Sequence, residues 1–276
     1  MKPVSVPFEI LISTMFRSDL SFLEAMFPNG DYSMYAILII NQTDTTRQLQ
    51  SLQPNVRVIN TEERGLPQSR NMAIRNAIGE VCLVADDDVL YVPNLESIIL
   101  QGYKTYPDAV VITFQLNKTN GELFRKYPDV IKHNNSSYKT VNGVVISFKK
   151  DVLLENDVLY HPHFGLGATF SGANEYVFMR NVMKAKLPAY FVPAVILTHP
   201  DVSSGQDLGS DRLLYLRGAL AYKCYGIWGY LWVCKYVFFL VRHQIIKAKY
   251  AFAKAKKAFS GIKKYKELLA TGEERK

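Results

Sequence analysis

Cysteine is scarce and scattered. The 276 residues hold three, Cys82, Cys224 and Cys234, which form neither a disulfide framework nor a CxxC metal clip. That usage fits a reducing compartment, with each thiol packed in the interior. No secretory leader is expected either, because Pro3, Pro7 and Glu9 interrupt the apolar residues that follow Lys2. The Asn-x-Ser/Thr triplets at Asn117 and Asn135 therefore read as chance. Long uncharged apolar runs are missing too. Leu213–Val241 is rich in Leu, Tyr, Trp and Phe, but Lys223 and Lys235 interrupt it. The longest uncharged stretch there, Cys224–Cys234, is far below the roughly 20 residues a membrane span needs. No internal repeat is visible.

Most of the chain also lacks an excess of either charge. The net charge is +8, yet residues 242–276 carry 11 Lys and Arg against 3 Asp and Glu. The other 241 residues hold 22 of each sign. A body without net charge argues against a nucleic-acid groove across it, and a basic tail points to an anionic surface.

What is present is enough to build a core. Hydrophobic residues make up 48% and charged residues 21%, at a length that allows one large domain plus an extension. Apolar runs at Glu9–Thr14, Met34–Ile40, Val56–Asn60 and Val81–Ala85 read as strands. Helices are expected from Ser18-Asp19 to Met26, over Thr43–Leu52, and from Pro67 to Ile78, where Gly79 ends the last of them. This alternation implies βαβ units and a mostly parallel sheet in an α/β fold. The second half is more mixed, with strand candidates at Ala109–Phe114, Gly143–Phe148, Tyr190–Val192 and Val195–Thr198, a polar excursion over Asn117–Lys139, and a helix over Ala173–Lys184. Beyond Asp211 the character changes. Ala248, Phe252, Ala255, Phe259, Ile262 and Leu269 share one helical face while most lysines lie away from it. A basic amphipathic helix of this kind reads as an interfacial membrane binder, or as a surface helix packed on the domain.

The most informative residues are Asp86-Asp87-Asp88, set directly after Val81–Ala85. Carboxylates at the C-terminal end of a strand project into the crevice where open α/β sheets bind ligands. Three of them repel one another and need a counter-charge, which a Mg²⁺ or Mn²⁺ ion carrying a phosphorylated ligand would supply. A solvated acidic turn before a helix near Pro93-Asn94-Leu95 is the plainer alternative.

Their surroundings narrow the choice. Gly65-Leu66-Pro67-Gln68-Ser69-Arg70-Asn71 precedes Gly79-Glu80-Val81, which leads into Ala85-Asp86-Asp87-Asp88. A G-L-x-x-x-R-N helix, a G-E strand start and a D-x-D end in this order resemble the GT-A, family-2-type glycosyltransferases, including those of bacterial surface-polysaccharide synthesis. The resemblance runs over roughly residues 7–205. It implies a GT-A (Rossmann-like) domain at 1–210, with a nucleotide-sugar half at 1–92 and an acceptor half at 93–210, followed by a helical extension at 211–276.

The resemblance also assigns residues. It carries D-x-D onto Asp86 and Asp88, with Asp88 the direct ligand of Mn²⁺ or Mg²⁺ and Asp86 a ribose or metal-water contact. His199, followed by Ser203-Ser204-Gly205, matches a His of related bacterial enzymes and would add a metal or diphosphate contact. His161 and His163 have ligand-like spacing but no partner set. Thr14 and Arg17 fall where the family holds uridine and diphosphate, Asn41 where many members place an Asp that reads uracil, and Arg70 where a helix Arg approaches the donor. Glu175 falls on the second acid of an E-D or E-E motif, the general base of inverting members; Asn174 replaces the first. A neutral-pH carboxylate can accept a proton without tuning.

The implied activity is inverting transfer of a sugar from a nucleotide-diphosphate donor, a UDP-sugar, to a hydroxyl of a glycan or lipid-linked saccharide acceptor. The tail would bring the enzyme to the anionic inner face of the cytoplasmic membrane. Two other classes compete. A sugar nucleotidyltransferase would carry a Gly-rich loop after strand one, where Ser13-Thr14-Met15-Phe16-Arg17 has no glycine. A non-catalytic scaffold with the same fold would accommodate the Asn41 and Asn174 departures.

Overall fold

A computed structural model describes residues 6–28, 30–199 and 208–274. They divide into two compact units. The first comprises residues 1–162 and 174–201, the second residues 163–173 and 202–276.

The first unit is built on one sheet. Its strands are β1 (Val6–Met15), β2 (Ala36–Gln42), β3 (Val56–Thr61), β4 (Gly79–Asp86), β5 (Leu90–Tyr91), β6 (Val111–Asn117), β7 (Ile146–Lys149) and β8 (Ala189–Thr198). Among the described residues their order is β3-β2-β1-β4-β7-β6-β8-β5. The neighbours from β3 to β4 pair in parallel, as the βαβ pattern predicts. β7 runs antiparallel to both β4 and β6, β8 is parallel to β6, and β5 is antiparallel to β8. Five helices accompany the sheet: α1 (Ser21–Met26), α2 (Leu66–Asn76), α3 (Leu95–Thr105), α4 (Lys150–Glu155) and α5 (Asn174–Lys184).

The central strands are apolar on both sides. Ile10, Ile12, Ile37, Ile39 and Leu83 pack on one face with α1 and α3. Leu11, Leu38, Ile40 and Val84 pack on the other with α2 and α5. Near-continuous apolar strands are what a doubly covered parallel sheet requires. At the start of β4, the fully buried carboxylate of Glu9 accepts the backbone N–H groups of Ile78 and Gly79 and pairs with Arg57 at 2.7 Å. The Gly79 position has no room for a Cβ, which would lie 2.6 Å from that of Glu9.

Two local expectations change. Thr43–Leu52 is a loop and not a helix. Side chains hold its backbone instead: Asp44 accepts from Thr46 N–H, and the Asn60 amide both accepts from Leu49 N–H and donates to its carbonyl. Short polar side chains compete with helix bonds in this way. The two short strands expected at 190–198 are one strand, whose pairing with β6 shifts register between Thr113 and Leu116.

The second unit holds α6 (Asp211–Tyr225), α7 (Gly229–Arg242) and α8 (Ala251–Thr271). α6 and α8 touch at backbone distance. A Cβ on Gly218 would meet the Ala258 carbonyl at 1.8 Å, and one on Gly261 would meet the Tyr215 carbonyl at 2.0 Å. Ala258, Ile262, Tyr265 and Leu268 of α8 are buried. Of the apolar stripe read from the sequence, Ile262 is buried, Ala255, Phe259 and Leu269 are half-buried, and Ala248 and Phe252 are exposed.

Candidate active site

The site forms where the carboxyl ends of β2, β1 and β4 lie side by side. Register pairs Thr14 with Asn41 and Ser13 with Asp86, so residues 27 and 73 positions apart become neighbours. α2 is fixed over this edge by a 2.9 Å bond between Ser69 Oγ and Ser13 Oγ. Its entry is shaped by Gly65, whose φ of 113° suits glycine, and by Pro67 in the first turn.

The three carboxylates have three different partners. Asp86 Oδ1 lies 3.0 Å from Arg70 Nη2, and this guanidinium is buried. Burial alone would depress the pKa of Arg70. The charge of Asp86, then the Tyr160 phenol and Glu175, outweigh that and raise it. The Arg70 guanidinium also stacks over the Tyr160 ring at 5.3 Å and fills the space a side chain at Gly143 would need, with Nη1 3.0 Å from that point.

Asp87, whose role the sequence left open, accepts from Thr14 Oγ1 at 2.5 Å and pairs with Arg17 at 2.7 Å. It therefore holds the two residues expected to contact the nucleotide. Asn41 is buried and committed to the same turn: its Oδ1 accepts from Arg17 N–H, and its Nδ2 donates to the Arg17 carbonyl and to Asn60. With both amide hydrogens used and no exposed surface, this geometry makes Asn41 a support for the Arg17 turn.

Asp88 is the outermost of the three. Its Oδ1 stands 3.8 Å from His199 Nε2. The register explains the approach. Leu90 of β5 pairs with Thr198 of β8 in antiparallel fashion, so the turn before one strand faces the residue after the other. Burial raises the Asp88 pKa above the usual carboxylate value; His199 opposes this, and Asp86 and Asp87 add to it. The Ser203-Ser204-Gly205 portion of the motif lies outside the described residues.

The donor set at Asp88 and His199 is one carboxylate and one imidazole. Among the described residues no group of three or more His, Cys, Asp or Glu converges on a common point. A set of two fits a divalent cation that completes its shell with substrate phosphates and water, the usual arrangement for Mg²⁺ at phosphorylated ligands; imidazole widens the choice to Mn²⁺. The need for counter-charge inferred from the triplet is met inside the chain for Asp86 and Asp87, by Arg70 and Arg17. His163 Nδ1 and Nε2 lie against Thr169 Oγ1 and the Glu273 carbonyl, at 3.2 and 3.4 Å.

Glu175 opens α5 in its first turn. The residue before the helix, Ala173, has φ 58°, a left-handed conformation that an alanine adopts at a cost of about 1 kcal/mol. Such strain is found where a backbone must aim a side chain. Glu175 is half-buried, and its charge acts on both Arg70 and Tyr160. It therefore belongs to the same electrostatic cluster as Asp86. Sequence reasoning missed Tyr160, which stacks on Phe178 at 4.3 Å. Asn71 clamps its backbone through paired 2.8 Å bonds. Only contact across 89 residues reveals that role.

Acids and arginines gathered at the carboxyl ends of parallel strands lie where open α/β sheets bind their ligands. The family model for glycosyl transferase family 2 matches residues 21–169, more than half of the chain, and the chain belongs to that family. No curated protein matches it significantly in sequence. Among solved structures it is similar to Staphylococcus aureus TarS, residues 1–349, with a TM-score of 0.54 at 13% identity over 97% of this chain and 92% of that one. The complex of TarS 1–349 with UDP-GlcNAc gives 0.55 at 12% identity over the same shares. At that identity the likeness is one of fold.

Proposed function

We propose that this chain is an inverting, metal-dependent glycosyltransferase that uses a UDP-sugar. The observation that carries the reading is the convergence of Asp86, Asp88, Arg17, Arg70 and Glu175 around the carboxyl ends of β1 and β4. Solved TarS structures with UDP and with UDP-GlcNAc share the fold and support the choice of donor.

In this reading Arg17 and Thr14, held by Asp87, face the nucleotide. Arg70 fixes the orientation of Asp86, which contacts the ribose. Asp88 and His199 would hold Mn²⁺ or Mg²⁺, which would neutralise charge on the diphosphate. Glu175 takes the proton of the acceptor hydroxyl. The hydroxyl oxygen bonds to the anomeric carbon as the bond from that carbon to the diphosphate oxygen breaks, and the electron pair leaves with UDP. Attack from the face opposite the leaving group inverts the centre.

The acceptor is a hydroxyl of a glycan or of a lipid-linked saccharide in bacterial surface-polysaccharide synthesis. The enzyme works in the cytoplasm, peripherally on the inner face of the membrane. The basic residues of 211–276 and the apolar side chains exposed there support this placement.

The test is UDP release from a panel of UDP-sugars by purified protein with Mn²⁺. Release above the rate of a Glu175→Gln control, with a glycan acceptor present, is expected. No binding of any nucleotide would transfer the reading to a non-catalytic scaffold.

A further inference from the structure

α7 is apolar on both sides. Gly229, Val233, Val237 and Leu240 are buried within the second unit. The opposite side presents Trp228 just before the helix, then Leu231 and Phe238, at 68%, 62% and 64% exposure. Phe239 flanks them. At 100° per residue Leu231, Lys235, Phe238 and Arg242 fall within about 60° of one another, so one stripe carries large apolar groups and two cations. A helix that is apolar all round is normally enclosed, and an exposed apolar patch of this kind marks an interaction surface.

We propose that this stripe of α7 is an interfacial docking face for an anionic lipid bilayer, with Trp228, Leu231 and Phe238 entering the headgroup region and Lys235 and Arg242 meeting lipid phosphates. It deepens the membrane placement above and rests on it. It moves the main contact from α8, whose Ala258, Ile262, Tyr265 and Leu268 are buried, to α7. The segment beyond continues the chemistry: Lys247, Lys249, Tyr250 and Phe252 are exposed, and residues 242–276 hold 11 basic against 3 acidic residues. A basic polar face with aromatic anchors is the pattern of a helix lying in the interface.

Two other occupants fit less well. A second copy docked through the same face would set Lys235 and Arg242 near their own symmetry mates, like charge on like charge. A membrane span is a second alternative, since Asp211–Arg242 contains an 18-residue window of mean hydropathy 1.4. But the run is interrupted at Gly226, with φ 57°, and α6 packs on α8 at backbone distance. The 14 residues of α7 reach only about 21 Å, against a hydrocarbon core of about 30 Å.

The experiment is flotation of the full chain with vesicles of phosphatidylcholine, alone or with anionic phosphatidylglycerol, at low salt. It compares wild type, the variant Leu231→Ser with Phe238→Ser, and Lys235→Glu with Arg242→Glu. In a Trp232→Phe background, the emission of Trp228 reports insertion. The expected result is binding to anionic vesicles only, weakened at least ten-fold by either variant, with a blue shift of Trp228. Thermal melting of the variants, expected to be unchanged because the altered side chains are exposed, separates surface effects from unfolding. Wild-type binding that both variants retain, with Trp228 emission unmoved, would overturn the assignment to α7 while leaving the membrane placement standing. Absence of wild-type binding would remove the placement itself. A concentration-dependent dimer dispersed by the serine variant would assign the face to self-association and overturn the proposal.

Discussion

Arg70 and Asp86 form a pair that is closed at one end and open at the other: the guanidinium is 3% exposed, the carboxylate 34%, and 3.0 Å separates them. The two halves of this pair are therefore unequal when removed. Asp86→Ala strands a buried cation, whereas Arg70→Met leaves a carboxylate that water can reach. Breaking a buried pair costs about 3–5 kcal/mol, less where one partner is wet. The expected order in urea unfolding is a loss of about 2–3 kcal/mol for Asp86→Ala and a smaller one for Arg70→Met, with turnover falling in both.

Asp87 behaves differently. Its partner Arg17 is 40% exposed, and exposed ion pairs contribute at most about 1 kcal/mol. Asp87→Asn should leave the melting temperature nearly unchanged. The loosened Thr14 and Arg17 should instead appear as a several-fold rise in KM for the nucleotide sugar, with kcat less affected. A large stability loss with unchanged KM would contradict the positioning role.

Glu175→Gln keeps the shape of the side chain and removes the carboxylate proposed as the base. General-base catalysis contributes about 10²–10⁴-fold, so kcat should fall by that factor while nucleotide binding in calorimetry stays within two-fold. Equal losses in binding and kcat would point to a donor contact.

His133 supplies a pH prediction away from the chemistry. Its ring lies 2.7 Å from Thr113 Oγ1 and 3.1 Å from Ser137 Oγ, and burial lowers its pKa to about 4. The unfolded chain binds a proton near pH 6.5 that the folded chain refuses. Stability is therefore full above that value and declines as pH falls towards about 4. The linkage amounts to about 2 kcal/mol at pH 5. Urea unfolding at pH 7 and pH 5 should show that decline in wild type and a shallower one in His133→Gln.

Much of this was legible in the sequence because it is local. The apolar runs, Pro67, Gly79 and the Asp86–Asp88 triplet each declare an element or an end. What was not legible depends on distant partners. Thr43–Leu52 has helical composition, yet Asn60 and Asp44 take its backbone bonds. Asp87 gains its role through Thr14 and Arg17, 73 and 70 residues away, and Tyr160 through Asn71 and Arg70. β5 is two residues long, too short for a periodic signal, yet its register brings Asp88 to His199. The amphipathic pattern of α8 was plain, but a pattern does not say whether water, lipid or a neighbouring helix covers the face.

The proposed nucleotide-diphosphate site is completed by a cation at Asp88 and His199. A thermal-shift panel of UDP and UDP-sugars, each with Mn²⁺, Mg²⁺ or EDTA, tests it directly on wild type, Asp88→Ala and His199→Ala. A ligand at about 100 times its Kd adds roughly 2.7 kcal/mol of stability. Stabilisation by a uridine nucleotide that needs the cation and is lost in Asp88→Ala is the expected result. Stabilisation that survives both EDTA and Asp88→Ala would contradict it.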